Sequence, residues 1–253
     1  MTDITIMAGA EPFYAENGNV GVLVSHGFTG NPQSMRYLAE GLARAGFTVA
    51  LPRLKGHGTT PADMAASTAS DWIGDVEQAA NWLKERSTTL FMTGLSMGGT
   101  LTLFMAGQHP DLFKGIIPIN AAINLYNPDM ASLAYMIGGP TEVAGVGSDI
   151  KAPGVTELAY PVTPVPAIKE LFALMKVTDE LMPRITIPAL IITSRGDHVV
   201  PPINGEYIFN RLPGTDKQLL WLENSYHVAT LDNDKDVILQ KSIDFIHAHS
   251  DAA

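Results

Sequence analysis

Short runs of β-branched and aliphatic residues alternate along this chain with longer stretches whose apolar positions recur at helical spacing, the pattern of a mostly parallel sheet covered by helices on both faces. Val20 to Val24, Phe47 to Leu51, Leu90 to Thr93, Gly115 to Asn120, Ile187 to Thr193 and Lys217 to Leu222 read as strands. A helix follows Asn31, which can cap it with Pro32 at its first position, and Gly46 ends that helix after Ala45. Further helices are predicted from about Ser70 to Arg86, from Met97 to about His109, from about Asn204 to Asn210 and from Asp234 to His247, whereas Pro52 to Thr60 reads as a loop. Ile4 to Met7 and Glu11 to Ala15 suit a short antiparallel edge. The alternation breaks between Ala121 and about Pro183, where Pro, Gly, Met and Tyr are dense and no strand is evident. The expected organisation is an α/β core of residues 1–120 and 184–253, with residues 121–183 inserted as a cap.

The chemistry begins where one strand meets its helix. Leu90 to Thr93 runs into Gly94-Leu95-Ser96-Met97-Gly98-Gly99, a G-x-S-x-G turn that would lift the hydroxyl of Ser96 above the sheet edge. With 23 glycines in 253 residues the five-residue pattern carries little alone. Its setting, an apolar strand before and an apolar helix after, is what a nucleophile turn requires. A serine hydroxyl is too weak an acid to attack an ester unaided, so a base and an orienting acid are needed. His227 follows the last predicted strand and Asp197 follows the strand Ile187 to Thr193, so both fall at carboxyl strand ends, as Ser96 does. The order Ser, Asp, His is that of the α/β-hydrolase arrangement. Asp232 and Asp234 are rival acids that better suit a loop and a helix start. His109, His247 and His249 fall at helix ends away from this edge, and His26, His57 and His198 read as loop histidines. In this arrangement the oxyanion donors are the N–H of the residue after the nucleophile, Met97, and one from the loop after the first central strand, where Phe28 stands in His26-Gly27-Phe28. The scheme needs no metal or organic cofactor.

Composition narrows the partners. A chain of 253 residues, 46% hydrophobic and 17% charged, buries a sizeable core and fits one α/β domain with an insertion. Its net charge of −10 repels nucleic acid and anionic membrane surfaces and favours a neutral substrate. Without cysteine there is no disulfide, thiolate nucleophile or Cys-ligated zinc, which is compatible with a reducing compartment. Met1 to Ile4 has neither the basic nor the apolar region of a secretory signal, and no integral membrane span is expected because apolar runs are all interrupted. A cytoplasmic location is therefore expected, with transient lipid-surface contact through the cap left open.

His26-Gly27-Phe28-Thr29-Gly30, the Ser96 turn, Gly196-Asp197-His198-Val199-Val200-Pro201 and Asn224-Ser225-Tyr226-His227-Val228-Ala229-Thr230-Leu231-Asp232 together resemble the bacterial monoacylglycerol lipases and related carboxylesterases of the α/β-hydrolase superfamily. The resemblance covers nearly the whole chain. It implies Ser96, Asp197 and His227 as the triad, Phe28 and Met97 as oxyanion donors, and cleavage of monoacylglycerols to glycerol and fatty acid through an acyl-enzyme. The segment from Gly147 through Tyr160 also resembles that family, and there Glu157 matches a carboxylate expected to hold glycerol hydroxyls. Leu133, Met136, Ile137, Leu171, Leu174 and Met175 are candidates to line an acyl tunnel, though each one alone fits the core of the cap better. A general carboxylesterase or thioesterase of other acyl substrates would use the same machinery. Fold alone does not fix function, so a noncatalytic ligand-binding protein of this fold is the alternative of another class.

Overall fold

The computed structural model describes residues 5–124, 132 and 134–250; Ile4 and Leu133 lie outside the described residues. Strands β1 (Phe13–Ala15), β2 (Val20–Ser25), β3 (Thr48–Leu51), β4 (Thr89–Leu95), β5 (Gly115–Ile119), β8 (Ala189–Ser194) and β9 (Lys217–Leu222) form one sheet in the order β1-β3-β2-β4-β5-β8-β9. A separate two-stranded sheet pairs β6 (Glu142–Ala144) with β7 (Val162–Pro164). Every pairing in the larger sheet is parallel except that of β1 with β3. The loops leaving β2, β4, β8 and β9 therefore gather along one edge, and that edge carries the site.

The helices are α1 (Gln33–Arg44), α2 (Pro61–Ala65), α3 (Ala69–Lys84), α4 (Met97–Gln108), α5 (Val165–Leu181), α6 (Ile203–Arg211) and α7 (Lys235–His249). Successive strand side chains point to opposite faces, so Leu23, Ala50, Met92 and Ile116 pack in the apolar cluster with α3 and α4. Val22, Val24, Val49, Phe91 and Ile117 pack in the other cluster, with α1 and α7. Helix α4 is apolar on nearly every face because the sheet lies on one side of it and α5 on the other. The two helices meet closely at Gly107, where a Cβ would fall 2.8 Å from that of Leu181. Leu171, Leu174 and Met175 of α5 belong to the same cluster as the sheet residues beneath α4.

Local chemistry sets the helix starts. The N–H of Gln33 donates to Asn31 Oδ1 at 3.0 Å, so Asn31 caps α1 as expected while Pro32 offers no donor. Helix α3 starts at Ala69 on a capping box that sequence reading missed: Asp71 N–H donates to Thr68 Oγ1 at 3.3 Å, and Thr68 N–H to Asp71 Oδ2 at 2.9 Å. The short α2 was also missed; Thr60 caps it by accepting from Asp63 N–H at 3.1 Å.

Two further expectations are corrected. The antiparallel edge consists of β1 laid on β3, with Phe13 opposite Leu51 and Ala15 opposite Val49. The described residues up to Met7 form no strand; Met7 N–H instead donates to Gly58 O at 2.8 Å. Between Ala121 and Pro183 the chain does contain strands, since β6 and β7 pair with Glu142 opposite Pro164. Both are three residues long and β6 is largely exposed, so no apolar alternation marked them. Among the described residues no helix is long and apolar enough to cross a membrane.

Candidate active site

Ser96 sits between β4 and α4 at φ 58° and ψ −118°, a backbone state that L residues adopt only under constraint. The constraint comes from both sides of the turn. A Cβ on Gly94 would fall 2.3 Å from Gly98 O, and one on Gly98 would fall 2.2 Å from Ser25 O, so both glycines are steric requirements. The Ser96 N–H donates to Ile119 O at 2.9 Å, which ties the turn to the end of β5.

His227 and Asp197 meet. The Nδ1–H of His227 donates to Asp197 Oδ2 at 2.7 Å, and both side chains are buried. Asp197 Oδ1 accepts the N–H groups of Val199 at 2.9 Å and Val200 at 2.8 Å, which leaves the carboxylate no freedom to turn. With Nδ1 protonated, a neutral imidazole has Nε2 available as acceptor. Burial pulls the His227 pKa down, but the charge and hydrogen bond of Asp197, with the charges of Glu157 and Asp149 behind it, outweigh burial and hold it above the usual 6.5. Among the described residues Ser96 Oγ donates no hydrogen bond; Ser96 and His227 face each other's surroundings across a shared cavity of about 400 Å³.

The loop after β2 closes the cavity beside Ser96, where a Cβ on Gly27 would fall 3.2 Å from Ser96 Cβ. His26 fixes this loop. Its Nε2 accepts the N–H of Leu54 at 3.1 Å, so the proton of the neutral ring is on Nδ1, which donates to Gly27 O at 3.0 Å. Burial holds His26 far below the usual histidine range, in keeping with that neutral tautomer. In a trans peptide the C=O and the following N–H point in opposite directions, so pinning Gly27 O also fixes the direction of the Phe28 N–H. Among the described residues nothing accepts the N–H of Phe28, nor that of Met97 at the first position of α4.

Glu157 reaches the same cavity. Part of the residue meets solvent, yet its carboxyl lies against Gly30, where a Cβ would fall 2.5 Å from Oε1. Burial pushes its pKa up to about 7, against the downward pull of His227 and the Ser34 hydroxyl.

The sequence family described as serine aminopeptidase, S33, matches residues 19–146 and 148–234. This chain belongs to that family. It is an α/β-hydrolase-fold serine hydrolase. A thermostable monoacylglycerol lipase of Bacillus sp. (strain H-257) is 53% identical over 248 residues, covering 97% of each chain. A carboxylesterase of Bacillus subtilis (strain 168) is 28% identical over 237 residues, covering 93% of this chain and 96% of that one. The solved structure of one of two metagenome-derived lipolytic enzymes superposes with a TM-score of 0.96 at 64% identity, over 97% of this chain and 100% of that one.

In this S33 hydrolase the rival acids have other duties. Asp232 accepts four backbone N–H groups, those of Lys151, Ala152, Tyr226 and Asn233, at 2.8 to 2.9 Å. Asp234 accepts from Asn224 and from the Ser225 hydroxyl. His109 pairs with Glu77, and His249 with Asp216, both away from the cavity. His57 packs against Phe28 and Trp72. Of the suggested tunnel residues, Leu171 lines the cavity, whereas Leu174 and Met175 are buried in the core and Met136 and Ile137 are exposed. Two polar residues at this edge were not foreseen. Asn120 donates through Nδ2 to His227 O at 2.8 Å, and Asp149 lines the cavity while accepting the His227 N–H at 3.1 Å. Neither has a spacing signature, because both reach His227 through its main-chain groups.

Proposed function

We propose that this chain hydrolyses monoacylglycerols to glycerol and free fatty acid through an acyl-enzyme on Ser96. Ser96 Oγ attacks the ester carbonyl as His227 Nε2 takes its proton, and Asp197 holds the imidazole and stabilises its charged form. The N–H groups of Phe28 and Met97 receive the oxyanion. The alcohol leaves with the proton from His227; water then attacks the acyl-enzyme by the same acid–base route and frees the acid. Glu157, held near neutrality in its titration, exchanges hydrogen bonds with the glycerol hydroxyls at the alcohol side of the cavity.

The observation that carries this reading is the buried 2.7 Å His227–Asp197 bond beside a cavity shared by Ser96 and Glu157. The 53% identical monoacylglycerol lipase supports the substrate class. A general carboxylesterase is the second reading, favoured by the 28% identical relative. A turnover panel of monoacylglycerols, alkyl esters and acyl thioesters, run on the native chain and on Ser96→Ala, separates them. Loss of turnover in Ser96→Ala by about 10⁴-fold or more, with the thermal midpoint kept, is expected. Retained turnover would remove Ser96 from its role, and equal rates on alkyl esters and monoacylglycerols would favour the second reading.

A further inference from the structure

Asp149 lies in the segment between β6 and β7, far in sequence from both catalytic loops, yet its side chain holds the two together. Oδ2 accepts the backbone N–H of His198 at 3.0 Å and that of His227 at 3.1 Å. Oδ1 pairs with His198 Nδ1 at 2.8 Å, and the carbonyl oxygen of Asp149 accepts the N–H of Val228 at 3.1 Å. His198 adjoins Asp197, so one carboxylate grips the acid loop and the base loop at once. The grip is reciprocated: Asp232, from the base loop, accepts the N–H groups of Lys151 at 2.8 Å and Ala152 at 2.9 Å. Such a bond contributes modestly when made, whereas leaving one buried partner unpaired costs its full desolvation.

We propose that Asp149 is a positioning residue that fixes the main chain at His227 and beside Asp197 in a single arrangement, and so sets the reach of the imidazole toward Ser96. The inference rests on the catalytic roles proposed above. The charged groups facing His227 are Asp197 from the loop after β8 and Glu157 and Asp149 from the segment between β6 and β7. Asp149 adds its charge to the field that holds the imidazole up, so removing that charge makes His227 neutral at lower pH. A misplacement of about 1 Å at a reacting group costs up to about 10²-fold in rate, while ground-state binding of a small ester changes little.

The test is kinetics on a short soluble ester across pH for the native chain, Asp149→Asn, Asp149→Glu and Ser96→Ala. Asp149→Asn removes the charge but keeps an amide oxygen for the two N–H groups, so it is expected to move the acid limb of the profile to lower pH, with KM within about twofold and kcat lowered less than in Asp149→Glu. Asp149→Glu keeps the charge, so its acid limb stays in place while kcat falls because the longer arm loses the double grip. An unchanged kcat in both variants, or a lower thermal midpoint with kcat and acid limb unmoved, overturns the proposal, as does failure of both variants to fold. Should Ser96→Ala remain active, the catalytic reading falls instead, which separates the two failures.

Discussion

In the proposed mechanism the imidazole of His227 must be neutral to accept the proton of Ser96, and its neighbours oppose that. Because Asp197, Glu157 and Asp149 hold its pKa above 6.5, the acid limb of kcat/KM is expected to have its midpoint above that value. Activity is complete above the raised pKa and is lost as pH falls through it. Glu157→Gln removes one of the stabilising charges, so the limb should shift to lower pH. If Glu157 also binds glycerol, the same variant should lose about tenfold or more in kcat/KM on a monoacylglycerol while an ethyl ester is affected by less than about threefold. Parallel pH profiles on the two substrates check both statements. At this scale the sequence was informative where chemistry and chain order coincide: Ser96, Asp197 and His227 each follow a parallel strand, and that alone gathers them on one edge. It was silent on Asp149 and Asn120, whose partners at His227 are backbone atoms. It left Leu174 and Met175 open between tunnel and core, because an apolar helix position reads the same in either place; the structure puts both in the core.

Helices α4 and α5 show what an element needs to do its work. Helix α4 lies between the sheet and α5, and the two helices pack closely along their length. The glycine at 107 permits this, since a methyl group there would stand 2.8 Å from Leu181 Cβ and 3.0 Å from Leu181 O. Gly107→Ala is expected to destabilise the protein by about 1–3 kcal/mol, seen as a lower midpoint in thermal melts, with kcat at 25 °C close to native. A melt unchanged from the native chain would show that the two helices separate without cost. Outside residues 121–183 the long periodic elements were recovered from pattern with ends off by a few residues, while the 17-residue α5, inside the stretch where the alternation breaks, was not predicted. The three-residue β6 and β7 and the five-residue α2 were not predicted either, since pieces that short carry less than two full periods of apolar repetition.

For the molecule as a whole, acid is expected to be a destabilising condition for a reason separate from catalysis. His57 is buried with its pKa held down to about 4 by loss of hydration, and His26 is likewise held far below 6.5. The unfolded chain takes up these protons near pH 6.5, whereas folded His57 resists until about 4. Stability from this source is therefore full above 6.5 and drains away as pH falls toward 4. The net charge of −10 works the other way, because protonating carboxylates relieves self-repulsion. Comparing urea midpoints of the native chain and His57→Gln from pH 7 to 4.5 isolates the histidine contribution: the variant should show the smaller fall. Equal falls would mean that His57 takes up its proton without unfolding.

The reciprocal bonds of Asp149 and Asp232 bear on how such a fold can be altered. The rim of the cavity and the loop of the base are sewn to each other, so neither can be exchanged alone. A chimera that imports a foreign rim to suit a different acyl group would have to bring an acidic residue at position 149 and two free amides opposite Asp232. Grafts lacking either should bind the new ester and turn it over poorly.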